Sequence, residues 1–71
     1  MDSVVVKDTE VLSGAPVFRG TRVMVSSLWD YLETGQSVEA FLDDFPTVSK
    51  AQALAVLEEA KTLVEAHARP A

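Results

Sequence analysis

The apolar positions of this chain follow two regimes, short unbroken runs before residue 25 and helical spacing after it. Val4-Val5-Val6 is a β-branched run that predicts a strand, closed by Lys7-Asp8-Thr9-Glu10 as a turn. Val11-Leu12 then leads through Ser13-Gly14 into two further runs, Pro16–Phe18 and Arg22–Val25, separated by Arg19-Gly20-Thr21. Gly20 takes a positive φ without steric cost, so this stretch predicts a β-hairpin with a tight connection. Pro16 lacks a backbone donor, which confines it to the first position of a strand or to an edge. The Val4–Val6 run either pairs within the chain or adds to the sheet edge of a second chain.

From Ser26 onwards the period is that of a helix. Ser26 or Ser27 caps a first helix whose Leu28, Tyr31 and Leu32 fall at i, i+3 and i+4, with Trp29 at the border of that face. Gly35 ends it as a C′ glycine. Ser37 caps the second, where Val38, Phe41, Leu42 and Phe45 repeat at i, i+3, i+4 and i+7 until Pro46 stops it. Ser49 and Gln52 form a Ser-x-x-Gln capping box, opening a third helix that runs to about Ala68. Ala53, Val56, Leu57, Ala60, Leu63, Val64 and His67 lie along one broad stripe of it. The Pro46–Val48 connection is short enough for a helix-turn-helix crossing. The expected fold is therefore a mainly α member of the α+β class, one domain over residues 1–71. A β element spans residues 1–25, and a tri-helical, helix-turn-helix-like bundle spans residues 26–68.

Size and charge narrow the partners. The core of a 71-residue chain typically supplies only about 3–5 kcal/mol of net stability. No cysteine is present to staple it, so a homodimer is expected to help. The start of the chain has neither the basic residues nor the long apolar run of a leader or a membrane span, and residence in the cytoplasm is expected. Net charge is −5, the wrong sign for binding nucleic acid mainly by neutralising phosphates. Its distribution is uneven. Three of the six basic residues, Lys7, Arg19 and Arg22, precede residue 25, whereas Asp30, Glu33, Glu39, Asp43, Asp44, Glu58, Glu59 and Glu65 load the helical part. An acidic helical body suits a basic protein partner better than bare DNA.

The candidate chemistry is that of binding. No nucleophile–base pair, glycine-rich phosphate loop or metal-ligand spacing is present, so no catalytic residue, metal or cofactor is expected. Asp43 and Asp44 are adjacent, but neighbouring helix residues point about 100° apart and do not converge on one ion. His67 stands alone near the C-terminus and reads as a surface or packing residue. A helix-turn-helix reader of DNA would offer Lys50 and Gln52 from the start of the third helix. Gln52, however, already serves the capping box. Arg19 and Arg22 flank the hairpin, where they reach a phosphate or instead pair with acidic helix residues. The five aromatics mostly follow the helical period and belong to the core, with Trp29 the best placed to anchor a partner. Glu58, Glu59, Leu63 and Val64 lie where the third helix extends beyond a compact tri-helical core, a region suited to packing on another chain.

Several motifs agree in order and spacing with one small prokaryotic family. Gly14-Ala15-Pro16-Val17, Arg19-Gly20-Thr21-Arg22, Gly35-Gln36-Ser37-Val38-Glu39 and the acidic-aromatic end Asp43-Asp44-Phe45-Pro46 together resemble the family catalogued as domain of unknown function 433. The likeness runs from about Val4 to Ala60, with Gly14, Pro16, Gly20, Thr21, Gly35 and Pro46 as its structural positions. Ala15 stands where that family usually has lysine, and Met24 where it often has proline. Such proteins look like tri-helical domains with an N-terminal β element, and some resemble the antitoxin of a toxin–antitoxin pair whose toxin is a PIN-like nuclease. The resemblance implies a noncatalytic antitoxin that binds and neutralises such a toxin, with autoregulatory binding to operator DNA as a possible second role. The alternatives are a DNA-binding regulator without a toxin, and an adaptor with neither activity.

Overall fold

A computed structural model describes residues 3–71, so the first two residues of the expected β element lie outside the described residues. Two short strands, β1 (Val5–Val6) and β2 (Val17–Phe18), pair antiparallel with Val5 opposite Phe18 and Val6 opposite Val17. Three helices follow: α1 (Val25–Glu33), α2 (Val38–Asp44) and α3 (Lys50–Ala66). This is the expected α+β class, mainly helical. The Val4–Val6 run pairs inside its own chain.

The hairpin differs from expectation in its second arm. Phe18 and Thr21 close a β-turn, with the Thr21 amide 3.0 Å from the Phe18 carbonyl and Gly20 at φ +77° in the third place. The Phe18 amide then donates to the Val23 carbonyl at 3.0 Å. Instead of a strand over Arg22–Val25 there is one bridge, Val17 to Met24, because Val25 already begins α1. Burial decides this: Val25 and Leu28 both face the core, three residues apart, which a helix achieves and a strand does not. The predicted Ser26 or Ser27 cap is replaced for a related reason. Met24 is the N-cap and offers no side-chain acceptor, but the Val25 amide is satisfied by the Pro16 carbonyl at 3.0 Å. The sheet thus takes over the work of a cap.

The remaining helix ends follow the sequence closely. Gly35 sits at φ +84°; its amide donates to Leu32 at 3.1 Å and that of Gln36 to Tyr31 at 2.9 Å, the two bonds of a Schellman motif. The Ser37 side chain accepts from the Ala40 amide, and α2 ends one residue before Phe45, ahead of Pro46. Both halves of the Ser49–Gln52 capping box form, at 3.0 and 3.1 Å. Helix α3 ends at Ala66, two residues short of expectation, and His67 is its C-cap. Between β1 and β2 the chain turns through Leu12–Gly14 with Leu12, Ser13 and Gly14 all at positive φ.

The core lies where β2, α1, α2 and the first half of α3 meet. Phe18, Leu28 and Phe41 are fully buried, joined by Val17, Val25, Val48, Ala53 and Val56. Phe41 is the hub of an aromatic cluster, its ring centroid 5.0 Å from Phe45, 5.6 Å from Tyr31 and 5.9 Å from Phe18. Trp29, Tyr31 and Phe45 are half-buried against this core, as amphipathic rings at a rim are. The Tyr31 hydroxyl donates to the Asp44 carboxylate and links α1 to the end of α2. Val48 is the core residue that helical periodicity misses. It precedes the Ser49 cap and, with buried Ala53, fills the two places of a hydrophobic staple.

Candidate partner-docking surface on the third helix

The start of α3 is fastened to the β element by Arg19 and Gln52. The Arg19 amide donates to the Val4 carbonyl at 2.7 Å, and its Nε donates to the Ser3 carbonyl at 2.8 Å. Its own carbonyl accepts from Gln52 Nε2 at 2.9 Å, while Gln52 Oε1 accepts from the Ser49 amide at 3.0 Å. Arg19 therefore ties the N-terminal segment, the hairpin and α3 together through its guanidinium and its own main chain, and among the described residues it makes no ion pair to the acidic helices. Lys50 is held 3.7 Å from Glu39, with both side chains largely in water, where such a pair contributes at most about 1 kcal/mol. Arg22, the other hairpin arginine, is exposed. Of the four residues suited to DNA, three are thus engaged within the chain. The structural positions are occupied as their chemistry requires: Thr21 Oγ1 donates to the Phe18 carbonyl at 2.8 Å and accepts from the Val23 amide at 3.0 Å. Ser3, whose carbonyl receives Arg19, is a partner that sequence spacing gave no signal for.

The far half of α3 presents the opposite picture. Ala53 and Val56 are buried, and from Lys61 to the end of the chain every residue is exposed. Leu63 is 60% and Val64 70% exposed although both continue the stripe of Ala53 and Val56. Glu58 and Glu59 are exposed on the same helix, with Glu59 accepting weakly from Ser3 Oγ at 3.5 Å. Thr62 Oγ1 turns back to the Glu58 carbonyl at 3.0 Å. Leu54, 48% exposed, adds an apolar group on a second face. The candidate residues thus divide: Glu58, Glu59, Leu63 and Val64 share one projecting helix, while Trp29 belongs to α1 and packs against the core. At 17 residues α3 is about 25 Å long, in a molecule measuring 41 × 28 × 20 Å.

An apolar groove of about 550 Å³ opens on the β side, floored by Val6, Val11, Val17 and Val23, with Asp8 and Arg22 among its lining residues. No helix among the described residues is long and apolar enough to cross a membrane.

The order of these elements, with the Gly20 turn, the Gly35 helix end and the stop at Pro46, accords with a comparison against family models. The model described as protein of unknown function (DUF433) matches residues 5–60. The chain belongs to the DUF433 family. The match takes in both strands, α1, α2 and the packed half of α3, and ends as the uncovered part of the DUF433 chain begins. No curated protein and no solved structure is similar enough to count as a match.

Proposed function

We propose that this DUF433 protein is a noncatalytic antitoxin that binds and neutralises a PIN-like nuclease toxin through the distal half of α3. The observation that carries the reading is the uncovered continuation of the helix stripe at Leu63 and Val64, beside the carboxylates Glu58, Glu59 and Glu65. Apolar side chains anchor such a helix in a groove, and carboxylates complement a surface that handles nucleic acid. Occlusion of the nuclease is the expected mechanism. Binding to operator DNA is the secondary role, for which exposed Arg22 is the hairpin arginine whose side chain makes no hydrogen bond or ion pair among the described residues.

The deciding experiment co-expresses this chain with the product of the neighbouring reading frame. Growth arrest by the neighbour alone, relieved by the intact chain and not by a Leu63→Glu/Val64→Glu variant that remains folded, is the expected result. A harmless neighbour, or one that fails to co-purify with the chain, overturns the antitoxin reading. Relief by the double variant as strong as by the intact chain moves the docking surface elsewhere.

A further inference from the structure

Among the described residues two surfaces are left uncovered, and each offers charges that the other can pair. On the β side, the groove lined by Val6, Val11, Val17 and Val23 carries one cation, Arg22, and one anion, Asp8. On the helix, exposed Leu63 and Val64 are accompanied by Glu58, Glu59 and Glu65. Lys61 is exposed on the same helix, so Arg22 and Asp8 of the groove each have a counter-charge there.

We infer that a second copy of this chain covers both, the distal half of α3 from each copy lying in the groove of its partner. Apolar floor meets apolar stripe, Arg22 meets the helix carboxylates and Asp8 meets Lys61. Helix-in-groove recognition uses side chains at this spacing as anchors. Two such contacts related by a two-fold axis close on themselves, leaving neither surface exposed, and so form a dimer instead of an open filament. Self-association also suits a domain whose own core is small. The inference rests on α3 being a docking helix, as in the proposed function, and adds that the free protein masks it: a toxin would gain access by displacing the second copy.

The test uses the full chain alone, by sedimentation equilibrium from micromolar to millimolar concentration. The expected result is a reversible dimer that dissociates at least about 10-fold more readily with Val64→Glu, an exposed site where circular dichroism should be unchanged. Arg22→Glu weakens it to a similar degree, and so does Glu58→Lys/Glu65→Lys. Mixing the Arg22→Glu protein with the Glu58→Lys/Glu65→Lys protein restores a dimer, because each groove then faces a helix of the opposite sign. A monomer throughout, or a dimer indifferent to either surface, overturns the inference. Failure of the mixture to recover overturns the groove-to-helix pairing. None of these results touches toxin binding, which is read separately by co-purification, so the two readings fail independently.

Discussion

The two halves of α3 share one helix and one apolar stripe, yet they live in different surroundings. In the first half, Ala53 is fully buried and Val56 nearly so, and Gln52 bridges the helix start to Arg19. In the second, Leu63 and Val64 keep the same period and face water. Periodicity therefore identifies which face of a helix is apolar, while the amount of neighbouring chain determines how far that face is covered. In this molecule α1, α2 and the hairpin cover the proximal half, and nothing among the described residues covers the rest. The distal half is therefore an apolar stripe left in water, the feature on which the proposed docking rests.

The sharpest way to break that contrast is to cut side chain from the stripe in each half. Val56→Ala removes two buried methyl groups and leaves a void between α3 and the core. The expected loss is about 2 kcal/mol, read from the midpoint of urea unfolding. A loss near zero would mean that the proximal half is as loosely held as the distal half.

Much of this contrast was legible beforehand, and the exceptions have physical causes. Ser37, Gly35, Pro46 and the Ser49–Gln52 box marked helix ends well because each acts through atoms close by in sequence. The cap of α1 lies two or three residues before the expected Ser26 or Ser27 because its first amide is satisfied from Pro16, a partner that only the folded chain supplies. The second hairpin arm is shorter than expected for a different reason: β-branched Val23 and Val25 have strand propensity, and burial of Val25 with Leu28 overrides it. At the candidate site, the exposed location of Leu63 and Val64 followed from helix length. The fastening of Arg19 to Ser3 and Gln52 did not, because it depends on main-chain carbonyls that side-chain patterns leave unspecified.

A smaller effect sharpens the account of the proximal half. Gln52→Ala removes the bond to the Arg19 carbonyl and one arm of the capping box, for an expected loss of about 1 kcal/mol. Gln52→Glu keeps the acceptor for the Ser49 amide and loses the donor to Arg19. It should fall between the two, and hydrogen exchange at Ser49 reports whether that arm persists. If Gln52→Ala is neutral, the clasp is a contact without energetic consequence, and the core alone holds the helix start.

Tyr31 tests the packed region at its rim. It is the only tyrosine, so an absorbance titration reads it without ambiguity. Its pKa is raised from 10.0, first because its hydroxyl donates to Asp44, then through partial desolvation, then through the nearby negative charge. The folded state thus favours the protonated phenol. The associated stability is fully present below the unfolded pKa and is lost as pH rises through the folded one, so the protein weakens in strong alkali and not in acid on this account. Asp44→Asn should lower the titration midpoint towards the ordinary tyrosine value. A midpoint unmoved by that substitution would detach Asp44 from the effect.

The smallest expected effect is the one that most directly separates binding from folding. Leu63→Ala with Val64→Ala should change monomer stability by less than about 0.5 kcal/mol, since exposed side chains lose little and alanine is the stronger helix former. Any residual change should favour the helix. The same pair should reduce association with a partner, because the apolar area withdrawn is the area available for docking. Unfolding at low micromolar concentration isolates the first quantity and co-purification the second. A stability loss above about 1 kcal/mol would mean that the chain covers its own distal stripe, and the two halves of α3 would then differ in degree and not in role.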